Sequence, residues 1–262
     1  MIVLVHGAWH DASCWADVVA AIEARGVRAL AVDLPIEDPA NGATAYARAI
    51  IDAIEANGTG ERVTLVGHSL AGLVAPVAVQ ELGPGRVDAL VLVAPLLPEP
   101  GLSLRDAVSR EPDIHAMGPG QTRIAPRVTA WTEPAATRVL YAGVSDELVG
   151  RRGLTTPDAD ARVRRAVERL RPQGWTIDVE VTPLLRWPEV PTTVIVCEAD
   201  RVLSPHRMRE RARRLVPGRV VELPGGHFPL VTAPERLAEL IVGAASARPE
   251  PVPPVADPDR EG

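Results

Sequence analysis

Short apolar runs recur along this chain, and most of them are separated by segments whose apolar residues repeat at helical spacing. The runs are Ile2–Val5, Ala29–Val32, Val63–Val66, Ala89–Val93, Thr193–Val196 and Val220–Leu223. Strands without polar alternation are typical of a sheet that is buried on both faces, and intervening helices favour parallel pairing. We therefore predict an α/β fold with a mostly parallel sheet of about six strands flanked by helices.

This alternation breaks once, between about Leu96 and Pro188, where no strong strand pattern occurs. Prolines, glycines and short helical patterns accumulate in this stretch instead. Its clearest helix begins at Thr156 and Pro157 and has one apolar face, which we expect to rest on the core domain. An inserted, mainly helical cap is the simplest interpretation of such a segment.

We place the domain boundaries where the composition changes. The core is expected in two parts, 1–96 and 188–246, with the cap at 97–187 between them. The segment 247–262 is rich in proline and charge and buries too little apolar surface to order itself. We therefore expect a disordered tail at the carboxyl terminus.

The composition argues against two classes of partner. The chain has 262 residues, of which 46% are hydrophobic, and its formal net charge is −6. Such an acidic protein has no electrostatic attraction for nucleic acid or for an anionic membrane surface. Met1 is followed at once by Ile2–Val5, without the basic region of a signal peptide, and no later run is as long as a membrane span. We expect a cytoplasmic protein, with its oligomeric state open.

Cysteine, histidine and lysine usage gives no sign of a cofactor. Cys14 and Cys197 lie far apart, and Cys197 continues an apolar run, which favours a buried free thiol over a disulfide. The six histidines show no metal-ligand spacing. All 28 basic residues are arginine, so no lysine can form a Schiff base. We expect neither a metal nor an organic cofactor.

The six residues Gly67–Gly72 follow one predicted strand and precede a helical pattern. Small residues at Gly67, Ala71 and Gly72 permit the tight strand-to-helix turn that exposes a serine hydroxyl above a sheet edge. Ala71 occupies the last small position of the G-x-S-x-G motif. The pattern predicts Ser69 as a nucleophile.

A serine hydroxyl needs an adjacent base, and that base needs an orienting acid. Asp200 follows the strand Thr192–Cys197, and His227 follows the last predicted strand. Both therefore belong to the carboxyl edge of the sheet, in the chain order serine, acid, histidine. Glu198 is the competing candidate for the acid.

The oxyanion of an acyl-transfer reaction needs two hydrogen-bond donors. The N–H of Leu70, directly after the nucleophile, is one candidate, and the N–H of Ala8, in the loop after the first strand, is the other. His6 and His68 flank these two loops, and we interpret both as structural residues.

Five features together resemble the α/β-hydrolase family. They are His6–His10, Cys14 with Trp15, the elbow at Gly67–Gly72, Asp200, and Gly226 with His227. Within that family the chain is similar to the plant methylesterase and hydroxynitrile lyase group and its bacterial esterase relatives. The likeness spans about 1–96 and 188–245 and is far weaker across the cap.

The resemblance implies a serine triad, a backbone oxyanion hole, no cofactor, and a cap that shapes an apolar pocket. It places the nucleophile on Ser69, the acid on Asp200, the base on His227, and the oxyanion donors on Ala8 and Leu70. The residues expected near the pocket are aromatic, and they are Trp9, His10, Trp15, Trp131 and Phe228. Trp175 and Trp187 are further candidates from the cap.

The predicted function is hydrolysis of a small to medium apolar or aromatic ester through an acyl-enzyme; a thioester would serve equally. The alternatives are another lyase or cyclase reaction and a non-catalytic ligand receptor. The resemblance implies that the plant lyases use a lysine beside the catalytic histidine, where this chain has Phe228. Cyanohydrin cleavage is therefore disfavoured. Ser69 argues against dehalogenases and epoxide hydrolases, which use a carboxylate nucleophile.

Overall fold

The computed structural model describes residues 1–58, 60–83, 85–111, 113–115 and 119–246. The predicted disordered tail, 247–262, lies outside the described residues. The strands, in chain order, are β1 Ile2–Val5, β2 Ala29–Val32, β3 Val63–His68, β4 Val87–Val93, β5 Gln121–Ala125, β6 Val128–Trp131, β7 Gln173–Gly174, β8 Thr192–Cys197 and β9 Arg219–Leu223.

The main helices are listed here with their bounds: α1 Ala16–Glu23, α2 Ala43–Asn57, α3 Ala75–Leu82, α4 Leu104–Ser109, α5 Glu133–Ala135, α6 Val144–Arg152, α7 Thr156–Glu168, α8 Thr176–Val179, α9 Pro205–Leu215, α10 Pro229–Thr232 and α11 Pro234–Ser246. Shorter 3₁₀ segments cover Ala12–Trp15 and Ser69–Leu73, and a π-helical turn covers Ala136–Leu140. Among the described residues, no helix is both long enough and apolar enough to cross a membrane.

Six parallel strands form the central sheet, in the order β2-β1-β3-β4-β8-β9. Each of the six predicted apolar runs lies within one of these strands, which confirms the predicted architecture. Strands β1, β3 and β8 are buried along their whole length, as continuous apolar runs require.

The order of the strands brings two loops together. The chain passes from β1 to β2 on one side and returns to β3 on the other side of β1. The loops after β1 and β3 therefore meet at the carboxyl edge of the sheet, where ligands bind in open parallel sheets. Val5, the last residue of β1, pairs with Gly67 of β3. The residues that follow these two in the chain are therefore neighbours.

The segment 97–187, which we call the cap, contains a small antiparallel sheet as well as helices. Strand β6 pairs with β5 on one side and with β7 on the other. The sequence predicted a mainly helical cap and no strong strand pattern here, and the structure adds these three strands. The sequence pattern missed β5 because every residue of this strand is exposed, and an exposed strand needs no apolar run.

The helix predicted at Thr156 is confirmed. Thr155 caps α7, and its hydroxyl accepts a hydrogen bond from the Asp158 N–H. Helix α7 contacts α6 and the π-helical turn within the cap, and Ala166 on its apolar face lines a cavity together with the core residues Cys14 and Ala16. The cap therefore has apolar contacts of its own in addition to its contacts with the core.

Candidate active site

Ser69 lies at a strained turn directly after β3. Its φ is +53°, in the left-handed region that only tight packing makes acceptable for a residue with a side chain. A Cβ on Gly67 would lie 2.9 Å from the Ala71 carbonyl oxygen, and one on Gly72 would overlap the Leu96 carbonyl. The turn that exposes Ser69 therefore depends on glycine at both positions.

A chain of hydrogen bonds joins Ser69, His227 and Asp200. The distance from Ser69 Oγ to His227 Nε2 is 3.0 Å, and that from His227 Nδ1 to Asp200 Oδ2 is 2.7 Å. Because a carboxylate only accepts, Nδ1–H donates to Asp200, and Nε2 is left as the nitrogen that can accept the serine proton. The other oxygen, Asp200 Oδ1, accepts from the N–H groups of Val202 and Leu203 at 2.8 and 2.9 Å.

The alternative acid, Glu198, has a different environment. Its side chain is exposed, whereas that of Asp200 is buried beside the imidazole. Asp200 follows β8 and His227 follows β9, so two adjacent parallel strands bring these side chains together. The geometry favours Asp200 over Glu198 as the partner of His227.

One candidate oxyanion donor, the Ala8 N–H, belongs to a peptide group of fixed orientation. The carbonyl of that peptide is Gly7 O, which accepts from His6 Nδ1–H at 2.8 Å. Since C=O and N–H point in opposite directions in a trans peptide, His6 also fixes the direction of the Ala8 N–H. A Cβ on Gly7 would come within 3.0 Å of Ser69 Cβ, so this loop lies directly against the nucleophile.

The second candidate donor, the Leu70 N–H, is fixed in the same way. The carbonyl of its peptide is Ser69 O, which accepts from the Leu96 N–H at 3.0 Å. Within the described chain, neither the Ala8 N–H nor the Leu70 N–H donates to a protein acceptor. Both residues line the cavity that contains Ser69. The two N–H groups are available to a ligand at that serine.

Three further histidines lie buried around these loops and are held neutral. Burial lowers the pKa of His6 and of His10 to about 4, and burial lowers the pKa of His68 well below its usual value. His68 Nε2 donates to the carbonyl of His227 at 2.8 Å and so positions the backbone of the candidate base. These contacts agree with the interpretation of His6 and His68 as structural residues.

A cavity of about 480 Å³ opens over Ser69 between the core and the cap. Its buried apolar lining includes Trp9, Leu70 and Leu96. The indoles of Trp9 and Trp175 meet edge to face at 5.3 Å, and both N–H groups donate to Thr129 Oγ1. Of the predicted pocket tryptophans, Trp9 and Trp175 line this cavity.

Three other predicted pocket tryptophans, Trp15, Trp131 and Trp187, do not line it. Trp15 is fully buried in the core, where its ring stands edge-on to His68. Trp131 packs edge-on against Trp9, at 5.5 Å between ring centroids. Trp187 is partly buried and packs against the hydrophobic core.

His10 and Phe228, also expected at the pocket, line a second cavity of about 300 Å³ that Ser69 does not line. His10 Nδ1–H donates to Ala8 O at 2.7 Å, so its Nε2 accepts from the Tyr141 hydroxyl at 2.8 Å. Phe228 stacks on Tyr141 with ring centroids 4.5 Å apart. The cap residue Tyr141 thus contacts both side chains, and neither of them lines the cavity that contains Ser69.

Two cap residues that the sequence analysis missed hold the loops of the site. Glu147 Oε1, on α6, accepts from the Gly226 N–H at 2.8 Å, directly before His227. Arg171 donates through Nε and Nη2 to His10 O, at 3.1 and 2.8 Å. No sequence signal separates these residues from the other charged residues of the cap.

Other reactive groups in the described part of the chain are few. No cluster of histidine, cysteine and carboxylate side chains there has the arrangement of a metal site. Cys14 and Cys197 are free, and burial raises the pKa of both thiols well above the usual value. Both cysteines are therefore protonated at neutral pH and are poor nucleophiles.

Comparison with known proteins yields one family. The model of a family described as "Alpha/beta hydrolase family" matches residues 2–240. Over 106 residues the chain is 41% identical to the probable esterase PIR7A of Oryza sativa subsp. indica. That alignment covers 38% of the chain and only 40% of the length of the rice protein.

Longer matches include bacterial proteins. Over 263 residues the chain is 29% identical to the pyrethroid hydrolase of Sphingobium wenxiniae, covering 94% of the chain and 88% of that protein. The crystal structure of a pyrethroid hydrolase from Sphingobium faniae JZ-2 is similar with a TM-score of 0.71 and 26% identity. That likeness covers 94% of this chain and 97% of the other.

Proposed function

The chain belongs to the alpha/beta hydrolase family, and we propose that it is a serine esterase that cleaves small to medium carboxylic esters with an apolar or aromatic part. The observation that carries this proposal is the hydrogen-bonded series Ser69, His227 and Asp200, with distances of 3.0 and 2.7 Å, at the floor of a cavity. Relatives named as a probable esterase and as a pyrethroid hydrolase support the same reaction class.

In the first half of the reaction, Ser69 Oγ attacks the ester carbonyl carbon while His227 Nε2 takes the hydroxyl proton. Asp200 keeps the imidazole in the required tautomer and stabilises the imidazolium that forms. The negative carbonyl oxygen accepts from the N–H groups of Ala8 and Leu70. The intermediate collapses when His227 returns the proton to the departing alcohol, which leaves an acyl group on Ser69.

In the second half, water takes the place of the alcohol. His227 removes a proton from the water molecule, the resulting hydroxide attacks the acyl carbon, and the same two N–H groups bind the oxyanion. Proton transfer back to Ser69 Oγ then releases the carboxylic acid. Every step uses groups that the chain itself supplies.

We further propose that the reaction needs no metal or organic cofactor and takes place in the cytoplasm. The steps above need only a serine, a histidine, a carboxylate and two backbone N–H groups. Both cysteines are free thiols, as is usual in a reducing compartment. Within the chain, 97–187 acts as the cap, and 1–96 with 188–246 acts as the catalytic core.

The test is a neutral 4-nitrophenyl ester assay on the full chain, combined with labelling by a fluorophosphonate. Ser69→Ala should lower kcat by about 10⁴-fold, and adding His227→Ala should lower it little further, because these residues act as a unit. Mass spectrometry should locate the adduct on Ser69. Ser109→Ala is the control, since this serine is an exposed residue of α4 whose hydroxyl donates to Asp106 O, away from Ser69.

Two results would contradict the esterase. Activity that survives Ser69→Ala but disappears after dialysis against EDTA would indicate a metal-dependent reaction. No turnover of any ester, with a saturable binding signal for esters, would indicate the non-catalytic receptor instead.

A further inference from the structure

The cavity over Ser69 has a charge opposite to that of the whole protein. Its lining includes three arginines and one aspartate, namely Arg105, Arg123, Arg127 and Asp178. These four side chains together carry a formal charge of +2, although the chain has a net charge of −6. A concentration of one sign of charge in a cleft attracts ligands of the other sign.

Among the residues that the structure describes, one of these arginines, Arg105, has a carboxylate partner. Arg105 donates through Nε and Nη2 to Asp178 Oδ2, at 3.1 and 2.6 Å. Arg127 donates through Nη1 to the uncharged hydroxyl of Thr176 at 3.1 Å. The side chain of Arg123 has no hydrogen-bond or ion-pair partner among the residues that the structure describes. Within the described part of the chain, no carboxylate thus pairs with Arg123 or Arg127 at the cavity.

The two arginines lie on the solvent side of the cavity. Arg123 is in β5, and Arg127 is at the turn into β6, where its φ of +56° holds the backbone in the left-handed region. Both are exposed, whereas the apolar lining residues next to the serine, Leu70 and Leu96, are buried. The cavity is therefore apolar at Ser69 and cationic toward solvent.

We propose that this cavity selects esters that carry an ionised carboxylate at the end remote from the scissile bond, and that Arg123 and Arg127 bind this carboxylate. Half-esters of dicarboxylic acids are the simplest members of this class. A guanidinium matches a carboxylate with two parallel N–H donors, and an apolar spacer would fill the buried part of the cavity. The inference rests on the proposed esterase function.

The experiment compares kcat/KM for the monoethyl and diethyl esters of the same dicarboxylic acids, from glutarate to suberate. We expect the charged monoester to be favoured by roughly tenfold at low ionic strength, with the preference lost in about 0.5 M NaCl because salt screens exposed charges. A second arm places the carboxylate on the alcohol side, using acetate esters of hydroxy acids and of their ethyl esters. The arm that shows the preference tells whether the bound carboxylate lies on the acyl side or on the alcohol side of the scissile bond. If neither arm shows a preference for the charged ester, the proposal is overturned.

Substitutions then assign the preference to residues. Arg123→Gln and Arg127→Gln should each reduce the ratio of charged to neutral ester turnover several-fold, and the double variant should bring it to about one. Arg123→Glu should favour the neutral ester. The control is Arg138→Gln, an exposed arginine of the cap outside the cavity lining, which should leave the ratio unchanged. A double variant that is folded by circular dichroism and keeps the full preference would overturn the proposal.

Failure of this inference is distinguishable from failure of the esterase proposal. Hydrolysis of neutral esters that depends on Ser69, without any preference for charged ones, contradicts the carboxylate subsite alone. No hydrolysis of either ester and no adduct on Ser69 contradict the esterase, and the subsite with it.

Discussion

The core sheet and the cap differ in how much of their surface they expose. Strands β3 and β8 of the core are buried at every residue, whereas strand β5 of the cap is exposed at every residue. The candidate nucleophile, base and acid all follow core strands, and Arg123 and Arg127 of the cavity lining belong to the cap. The groups that we propose to react are thus on the buried part of the molecule, and the groups that we propose to select substrates are on its exposed part.

The largest expected effect tests whether catalysis is confined to the core. Asp200→Asn should lower kcat roughly 10⁴-fold, because an amide partner favours the wrong imidazole tautomer and cannot stabilise the imidazolium. Glu198→Gln, two residues earlier and exposed, is the matched control and should retain parental activity. Steady-state kinetics on a neutral ester measures both. The reverse result would make Glu198 the acid.

The difference in packing predicts opposite effects of one added methyl group. Gly72→Ala should destabilise the protein by about 3 kcal/mol or more, since a Cβ there overlaps the Leu96 carbonyl. Gly150→Ala, inside α6 with no atom within 4 Å of the new Cβ, should stabilise it by roughly 0.5 to 1 kcal/mol. Urea unfolding gives both values. Equal effects at the two sites would show that the cap is packed as tightly as the core.

Acid should destabilise the core through its buried histidines. Burial lowers the pKa of His6 and His10 to about 4, so from about pH 6.5 down to 4 the unfolded chain binds protons that the folded chain does not. Stability is therefore full above pH 6.5 and falls by a few kcal/mol as the pH drops toward 4. Protonation of His10 Nε2 would also remove the hydrogen bond that it accepts from Tyr141.

Urea midpoints measured between pH 7.5 and 4.5 test this dependence. His10→Gln should make the decline shallower, because one titrating group is removed. His206→Gln, an exposed residue of α9, is the control and should leave the slope as it was. A slope that is the same in all three proteins would contradict the role of His10.

The smallest expected effect concerns a hydrogen bond between the cap residue Glu147 and the loop that carries His227. Glu147→Ala removes the acceptor for the Gly226 N–H and should lower kcat by about tenfold with little change in KM, because the loop that carries His227 loses its anchor. Glu147→Gln keeps a side-chain oxygen and should restore most of the activity. Asp146→Asn, the exposed neighbour, is the control. Equal losses in the Ala and Gln variants would point to the charge instead of the hydrogen bond.

The sequence predicted those features of the core that depend on residues close together in the chain. A continuous apolar run has few alternatives to a buried strand, and small residues around Ser69 are what a tight strand-to-helix turn requires. The triad candidates could be named for the same reason, since each follows a recognisable strand. Even so, the choice of Asp200 over Glu198 depended on the family resemblance, because two carboxylates two residues apart fit the same chain order.

The tertiary structure alone decided which distant residues meet. It placed Tyr141 against His10 and Phe228, and all three residues line a cavity that Ser69 does not line. It also brought Arg123 and Arg127 to the mouth of that cavity, although nothing distinguishes them from the other arginines along the chain. A buried strand or a tight turn needs particular residue types at a few neighbouring positions, so the sequence shows it. Contacts across the cap depend instead on how elements distant in sequence pack together, and a local sequence pattern cannot predict them.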